Sequence, residues 1–202
     1  NDYIEPTYLD KAVAILDARP DVVLCCARPR YFAGTPQNFN EVDDPMGIEM
    51  DSPVDRFVAL IERITINNAM HGLIRTKALQ ETMPLESYYS SDNVMVAQLA
   101  LAGKFAQLPE PLFYRRFEKA AATELMTPEE LRAFYEPGRR KPLRFQSWKL
   151  NAGLWSLLWR ARLTARERRQ LAARLVKMSY WDSANLTRDL AEALRLVPPA
   201  AH

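Results

Sequence analysis

The chain has 202 residues, 48% of them hydrophobic and 26% charged, with a formal net charge of +2. That profile excludes a disordered chain, and no run approaches the roughly 18 uninterrupted apolar residues of a membrane span. The two cysteines, Cys25 and Cys26, are adjacent and the two histidines are His71 and His202, which excludes a disulfide scaffold and a histidine-rich metal site.

Nothing after Asn1 resembles a charged-then-apolar leader, and the chain reads as one that begins inside a domain. Residues 6–19 read as a helix: Pro6 suits its first turn, and Leu9, Val13 and Leu16 share a face. Pro20 and Asp21 stop it. The run Val22-Val23-Leu24-Cys25-Cys26 is short and partly β-branched, as expected for a buried strand in an α/β sheet. Residues 28–53, with four prolines, two glycines and the acids Glu41, Asp43 and Asp44, read as a long loop. Ser52-Pro53 then caps a helix that runs to about Asn67. A short strand or turn over His71-Gly72-Leu73-Ile74-Arg75 follows, then a small helix over 76–81 and a loop to Ser90. Ser90 or Ser91 caps a helix through Ala102, which Gly103 ends in a left-handed conformation. Phe105 to Leu108 and Leu112 to Phe117 read as two strands joined by Pro109-Glu110-Pro111.

The pattern then turns helical and basic. Thr127-Pro128-Glu129-Glu130 marks a helix start, and residues 136–142 read as a linker. Helices are expected over 144–161, 164–179 and 182–195, the second capped by Thr164 with Glu167 and the third by Asp182. Residues 138–178 hold twelve Lys or Arg against the single acid Glu167, a local net of +11. Since residues 179–202 carry −1 and the whole chain +2, the first 137 residues carry −8. Opposite charge balances suggest two structural units with different partners. Trp148, Trp155 and Trp159, at spacings of seven and four, form a stripe bordered by Arg144, Lys149, Arg160 and Arg162. Such a stripe either packs on the next helix, against Leu171, Leu175 and Met178, or rests on an anionic membrane surface. The regular stripe does not interleave aromatics with cations, so no nucleic acid is expected.

Four segments occur in a particular order. Asn1-Asp2-Tyr3-Ile4-Glu5-Pro6-Thr7-Tyr8-Leu9 opens the chain, and Gly72-Leu73-Ile74-Arg75 with Leu79 follows. Ser91-Asp92-Asn93-Val94 through Leu99, Leu101 and Gly103 comes next, and Leu108-Pro109-Glu110-Pro111-Leu112-Phe113-Tyr114-Arg115 closes the set. Together they resemble the second half of a family 2 glycosyltransferase catalytic domain over about residues 1–118. The resemblance implies an α/β fold. Residues 1–120 would be the acceptor-side half of a GT-A (nucleotide-diphospho-sugar transferase-like) mixed sheet, and residues 121–202 a helical basic C-terminal extension. The nucleotide-binding half would lie upstream.

The resemblance also implies roles. Asp2 would end an acidic motif that holds a divalent Mg or Mn ion, with Glu118 as a further oxygen ligand. Asp92 would be the catalytic base that takes the acceptor hydroxyl's proton; read locally, it is an ordinary helix cap. His71, Gly72 and Arg75 would bind substrate, Gly72 by allowing close backbone approach. Arg115 and Arg116 would face the diphosphate, although Phe117 stands where relatives often carry a His. Read locally, His71 is a hydrogen-bonded structural histidine and Arg75 a surface ion-pair partner of an acid such as Glu81. The expected activity is inverting transfer of a sugar from a nucleotide-sugar donor to a glycan or lipid-linked acceptor. The alternative is a non-catalytic binding or scaffolding module on the same fold. Unpaired thiols and the basic tail suggest a cytoplasmic protein, peripheral on the inner face of the membrane.

Overall fold

The computed structural model describes residues 2–35, 38–64, 67–82, 84–116, 127, 130, 134–135, 145–194 and 196. The chain forms two compact units, Asn1–Pro84 with Met95–Lys119, and Leu85–Val94 with Ala120–His202. The segment Leu85–Val94 groups with the C-terminal residues.

The first unit is mixed α/β. Its strands are β1 (Tyr3–Ile4), β2 (Val22–Phe32), β3 (Phe39–Glu41), β4 (Leu73–Ile74) and β5 (Lys104–Arg116). The sheet order is β1-β5-β2-β3, with β4 also on β2. β2 and β5 run parallel; the other pairings are antiparallel. The apolar run at the start of β2 is buried, as a parallel strand covered on both faces requires. β2 extends past that run to Phe32, five residues into the expected loop. Arg28-Pro29-Arg30 hides this continuation, because Pro29 sits at a register shift where a missing N–H does no harm. The same irregularity absorbs Pro109-Glu110-Pro111: Ala27 pairs with Leu108 and Pro29 with Phe113, so the two expected strands are one, β5.

Helix α1 (Tyr8–Ala18) lays Tyr8, Ala12 and Leu16 in a core with Val22, Cys25 and Ala27 of β2 and Phe113 of β5. Burial pushes the Cys25 thiol up to about 11, so it behaves as core and not as a nucleophile. Helix α2 (Pro53–Arg63) starts as expected, with the Ser52 hydroxyl accepting from the Asp55 N–H at 3.2 Å. It ends at Arg63, earlier than expected. A single 3-10 turn, Asn68–His71, leads into β4 and the short helix α3 (Thr76–Gln80).

Helix α4 (Ser91–Ala102) ends at Gly103, and here the expectation needs correction: Gly103 does not have a positive φ. A Cβ there would lie 2.3 Å from Val23 Cγ1 and 3.1 Å from the Asp21 carbonyl oxygen. Glycine is required for close passage of the chain beside β2, not for a left-handed cap. The carbonyls at the end of α4 are taken by Arg56, a buried residue of α2. Its Nε donates to Ala100 O at 2.7 Å and its guanidinium also reaches Leu101 O, Met50 O and Asp51 O. A cation at a helix C-terminus is favoured by the backbone dipole, which makes the buried charge tolerable.

The second unit is helical. Helix α5 (Gln146–Arg160) buries Leu154, Leu157 and Leu158, and helix α6 (Ala165–Trp181) buries Leu171 and Leu175; the two are in contact. Thr164 and Glu167 form the expected capping box at the start of α6. Asp182 precedes helix α7 (Ser183–Ala193) without the expected backbone cap; its carboxylate accepts from the Asn185 side chain at 2.6 Å. Gly153 lets α5 approach the 85–94 segment: a Cβ there would stand 2.6 Å from Tyr88 Oη and 3.0 Å from Val94 Cγ2. Thr127 and Glu130 exchange the two hydrogen bonds of a capping box. The expected linker over 136–142 lies outside the described residues.

The tryptophan stripe divides. Trp155 Nε1 donates to Ser179 Oγ at 3.0 Å and Trp148 Nε1 to Leu186 O at 2.9 Å, while Trp159 is exposed. Two of the three rings are therefore tied to neighbouring helices. None of the described helices is long and apolar enough to cross a membrane.

Candidate functional site

Because β2 and β5 are parallel, their carboxyl ends lie side by side: Arg30 pairs with Tyr114, Tyr31 with Arg115 and Phe32 with Arg116. Open α/β sheets receive ligands outside the carboxyl ends of their strands. β1 brings Asp2 to this edge, through its pairing of Tyr3 with Tyr114. Asp2 Oδ1 accepts from the Arg116 N–H at 2.8 Å. The sequence thus named three residues, Asp2, Arg115 and Arg116, that the first unit places together.

Behind this edge lies a polar network that the sequence reading missed. Arg115 NH1 donates to Asn68 Oδ1 at 2.7 Å; Asn68 Nδ2 donates to Asp44 Oδ2 at 2.7 Å and to Tyr31 Oη at 2.8 Å. Gln107 Nε2 donates to Asp44 O at 2.6 Å. Asp44 is only 7% exposed. Burial pushes its carboxyl above the ordinary value, opposed by the Asn68 hydrogen bond and the Arg115 charge. The only sequence signal was the run of acids at Glu41, Asp43 and Asp44, which was read as loop.

On the rim, Arg30 NH1 donates to Tyr114 Oη at 2.8 Å and NH2 to Glu41 Oε1 at 3.1 Å. Its guanidinium stands 4.1 Å from the centre of the Phe39 ring, and Tyr3 stacks on Tyr114 at 4.3 Å. The Arg116 guanidinium lies 5.5 Å from the Phe32 ring centre. The edge is therefore cationic and aromatic together.

The other candidates have structural partners. His71 is exposed, and its ring stacks on Phe113 at 4.8 Å. Its backbone carbonyl accepts from Tyr8 Oη at 3.2 Å. The close approach that Gly72 permits is to β2: a Cβ would meet Leu24 Cδ2 at 2.9 Å and Cys25 O at 3.1 Å. Arg75 does not pair with Glu81. Its Nε donates to Val22 O at 2.7 Å and its NH2 to Arg19 O at 3.1 Å and to Leu16 O. These bonds close the C-terminal end of α1 in the way Arg56 closes α4.

Asp92 belongs to the second unit, while Asp2, His71, Gly72, Arg75, Arg115 and Arg116 belong to the first. It is half-buried in the first turn of α4, after Ser90, which has a φ of 62°. Its neighbours in that unit include Tyr135, whose hydroxyl is pushed up by burial first and then by the charges of Tyr89 and Asp92.

The divalent ion implied by the resemblance needs several hard oxygen ligands. At the edge, Asp2 supplies one carboxylate, already bonded to a backbone N–H beside two arginines. Glu118 lies outside the described residues. No group of three or more His, Cys, Asp or Glu side chains suited to an ion occurs among the described residues. No family model, curated protein or solved structure matches the chain.

Proposed function

We propose that the chain is the acceptor-side part of a sugar transferase of the family 2, GT-A type, moving a sugar from a nucleotide-sugar donor to a hydroxyl acceptor with inversion. The observation that carries this reading is the carboxyl edge of the parallel pair β2–β5, which gathers Arg30, Arg115 and Arg116 where such sheets take their ligands. Guanidinium groups suit the oxygens of a diphosphate. The four ordered motifs support the same reading.

By the resemblance, Asp92 is the base that takes the proton of the acceptor hydroxyl as its oxygen attacks the anomeric carbon. The bond from that carbon to the diphosphate oxygen breaks, the nucleoside diphosphate leaves with the electron pair, and the new glycoside has the inverted configuration. Arg115 and Arg116, at the carboxyl edge of the first unit, suit the charge of a diphosphate, and Arg115 is held in place by Asn68.

The rival reading is a non-catalytic module on the same fold. It is favoured by the structural engagement of Gly72, Arg75 and Arg115. The test is donor consumption by the protein in its full reading frame, across a panel of nucleotide-sugars with glycan and lipid-linked acceptors. The transferase reading expects turnover that falls by about 10²–10⁴-fold in Asp92→Asn, the usual cost of a lost general base, with donor KM little changed. A folded protein that consumes no donor supports the binding module.

A further inference from the structure

The second unit carries an exposed surface that the transferase reading does not use. Helix α6 has five exposed cations, Arg166, Arg168, Arg169, Arg174 and Lys177, and one acid. That acid, Glu167, is engaged with Thr164 in the capping box. None of the four arginines forms an ion pair with a described residue, and Lys177 stands 4.5 Å from the centre of the Trp181 ring. Arg166, Arg168 and Arg169 lie near the N-terminal end of the helix, where the backbone dipole is already positive. Cations there oppose helix formation, so their placement does not serve the stability of α6.

At 100° per residue, Arg166, Arg169, Ala173, Val176, Lys177 and Tyr180 share the side opposite the buried Leu171 and Leu175. Toward the C-terminal end this side carries Val176, 58% exposed, and Tyr180, 76% exposed, beside Lys177, with Trp181, 68% exposed, at its flank. A helix about 25 Å long thus presents Arg166 and Arg169 over its N-terminal half and Val176 and Tyr180, beside Lys177, over the other. The geometry points to an anionic phospholipid surface as the partner of this face. Cations meet the headgroups, and Tyr180, Trp181 and Val176 reach the boundary with the acyl chains. The surface moves from α5, where Trp148 and Trp155 are tied to neighbouring helices, to the outward side of α6. Single-stranded nucleic acid fits less well, because Lys177 covers a face of Trp181 and the aromatics are gathered at one end. This proposal does not rest on the transferase reading.

The experiment is co-sedimentation of the whole protein with vesicles of pure phosphatidylglycerol and of pure phosphatidylcholine. Binding is expected to phosphatidylglycerol alone, and to be released at about 1 M salt, where charges are screened within a few ångströms. The triple reversal R166E/R169E/K177E should weaken it by at least about tenfold. Two of those reversals place acids near a helix N-terminus, where they favour the helix, so lost binding would not reflect lost folding. A second variant, Y180S/W181S, alters only exposed side chains and should weaken binding severalfold with an unchanged circular dichroism spectrum. Failure to bind phosphatidylglycerol, equal binding to both lipids, full binding by the triple variant, or binding to an oligonucleotide in place of vesicles would each overturn the proposal.

Discussion

Arg56 and Arg75 of the first unit donate to seven backbone carbonyls between them, whereas Arg166, Arg169 and Arg174 of the second have no carboxylate partner among the described residues. The same residue type does opposite work. In the first unit, which the sequence makes acidic overall, inward guanidinium groups close the ends of α1 and α4, Arg75 tying α1 to β2 and Arg56 tying α4 to α2. In the second, the exposed guanidinium groups of Arg166 and Arg169 stand near a helix N-terminus, where they oppose their own helix. A count of charges along the chain cannot make this distinction, because it depends on what each side chain touches. Charge that is internally satisfied contributes to folding, and charge left unpaired at the surface remains available to a partner.

The largest expected effect comes from breaking the first kind of arginine. Arg56→Met leaves four carbonyls without their donor and should lower stability by about 2–4 kcal/mol in urea unfolding. Arg75→Met, which is less buried, should cost about 1–3 kcal/mol. If either variant unfolds like wild type, the structural assignment of these arginines is wrong. Gly103→Ala should cost roughly 1–3 kcal/mol through the clash with Val23. A stabilised variant would mean that the chain is looser there than the 2.3 Å approach implies.

A smaller effect should appear as pH dependence at Asp44. Its carboxyl is raised in the folded state, so between the ordinary carboxylate value and the folded value the native state binds more protons than the unfolded one. Stability should therefore fall as pH rises through that window, from about 4 upward. Asp44→Asn keeps an acceptor for Asn68 and should flatten this slope. An unchanged slope would exclude Asp44 as its source. Smallest of all, Arg174→Glu should leave the unfolding midpoint where it was, since surface substitutions seldom matter to stability.

Much of the first unit was legible because its signals are local. Ser52-Pro53 and the Val22–Cys26 run each announce their structure within a few residues, as Thr164 with Glu167 does in the second unit. The continuation of β2 was hidden because arginines and a proline occupy a strand end that faces other polar groups. The Asp44–Asn68–Arg115 network was illegible for a different reason: its members come from three segments separated by 24 and 47 positions. Only the pairing of Tyr31 with Arg115 across the parallel strands brings them together. Arg75 could be singled out but not interpreted, since its partners are main-chain carbonyls that no side-chain pattern records. The membership of Leu85–Val94 in the second unit has no local sequence signal; it follows from the fit of Gly153 beneath Tyr88 and Val94.

The most direct test of the transferase account is the anomeric configuration of its product, followed by proton NMR during turnover of a nucleotide-sugar by wild type and Asp92→Asn in parallel. The account predicts a single inverted glycoside that forms with wild type and is nearly absent with the variant. A retained anomer, or an Asp92→Asn variant that forms product at the wild-type rate, would contradict it.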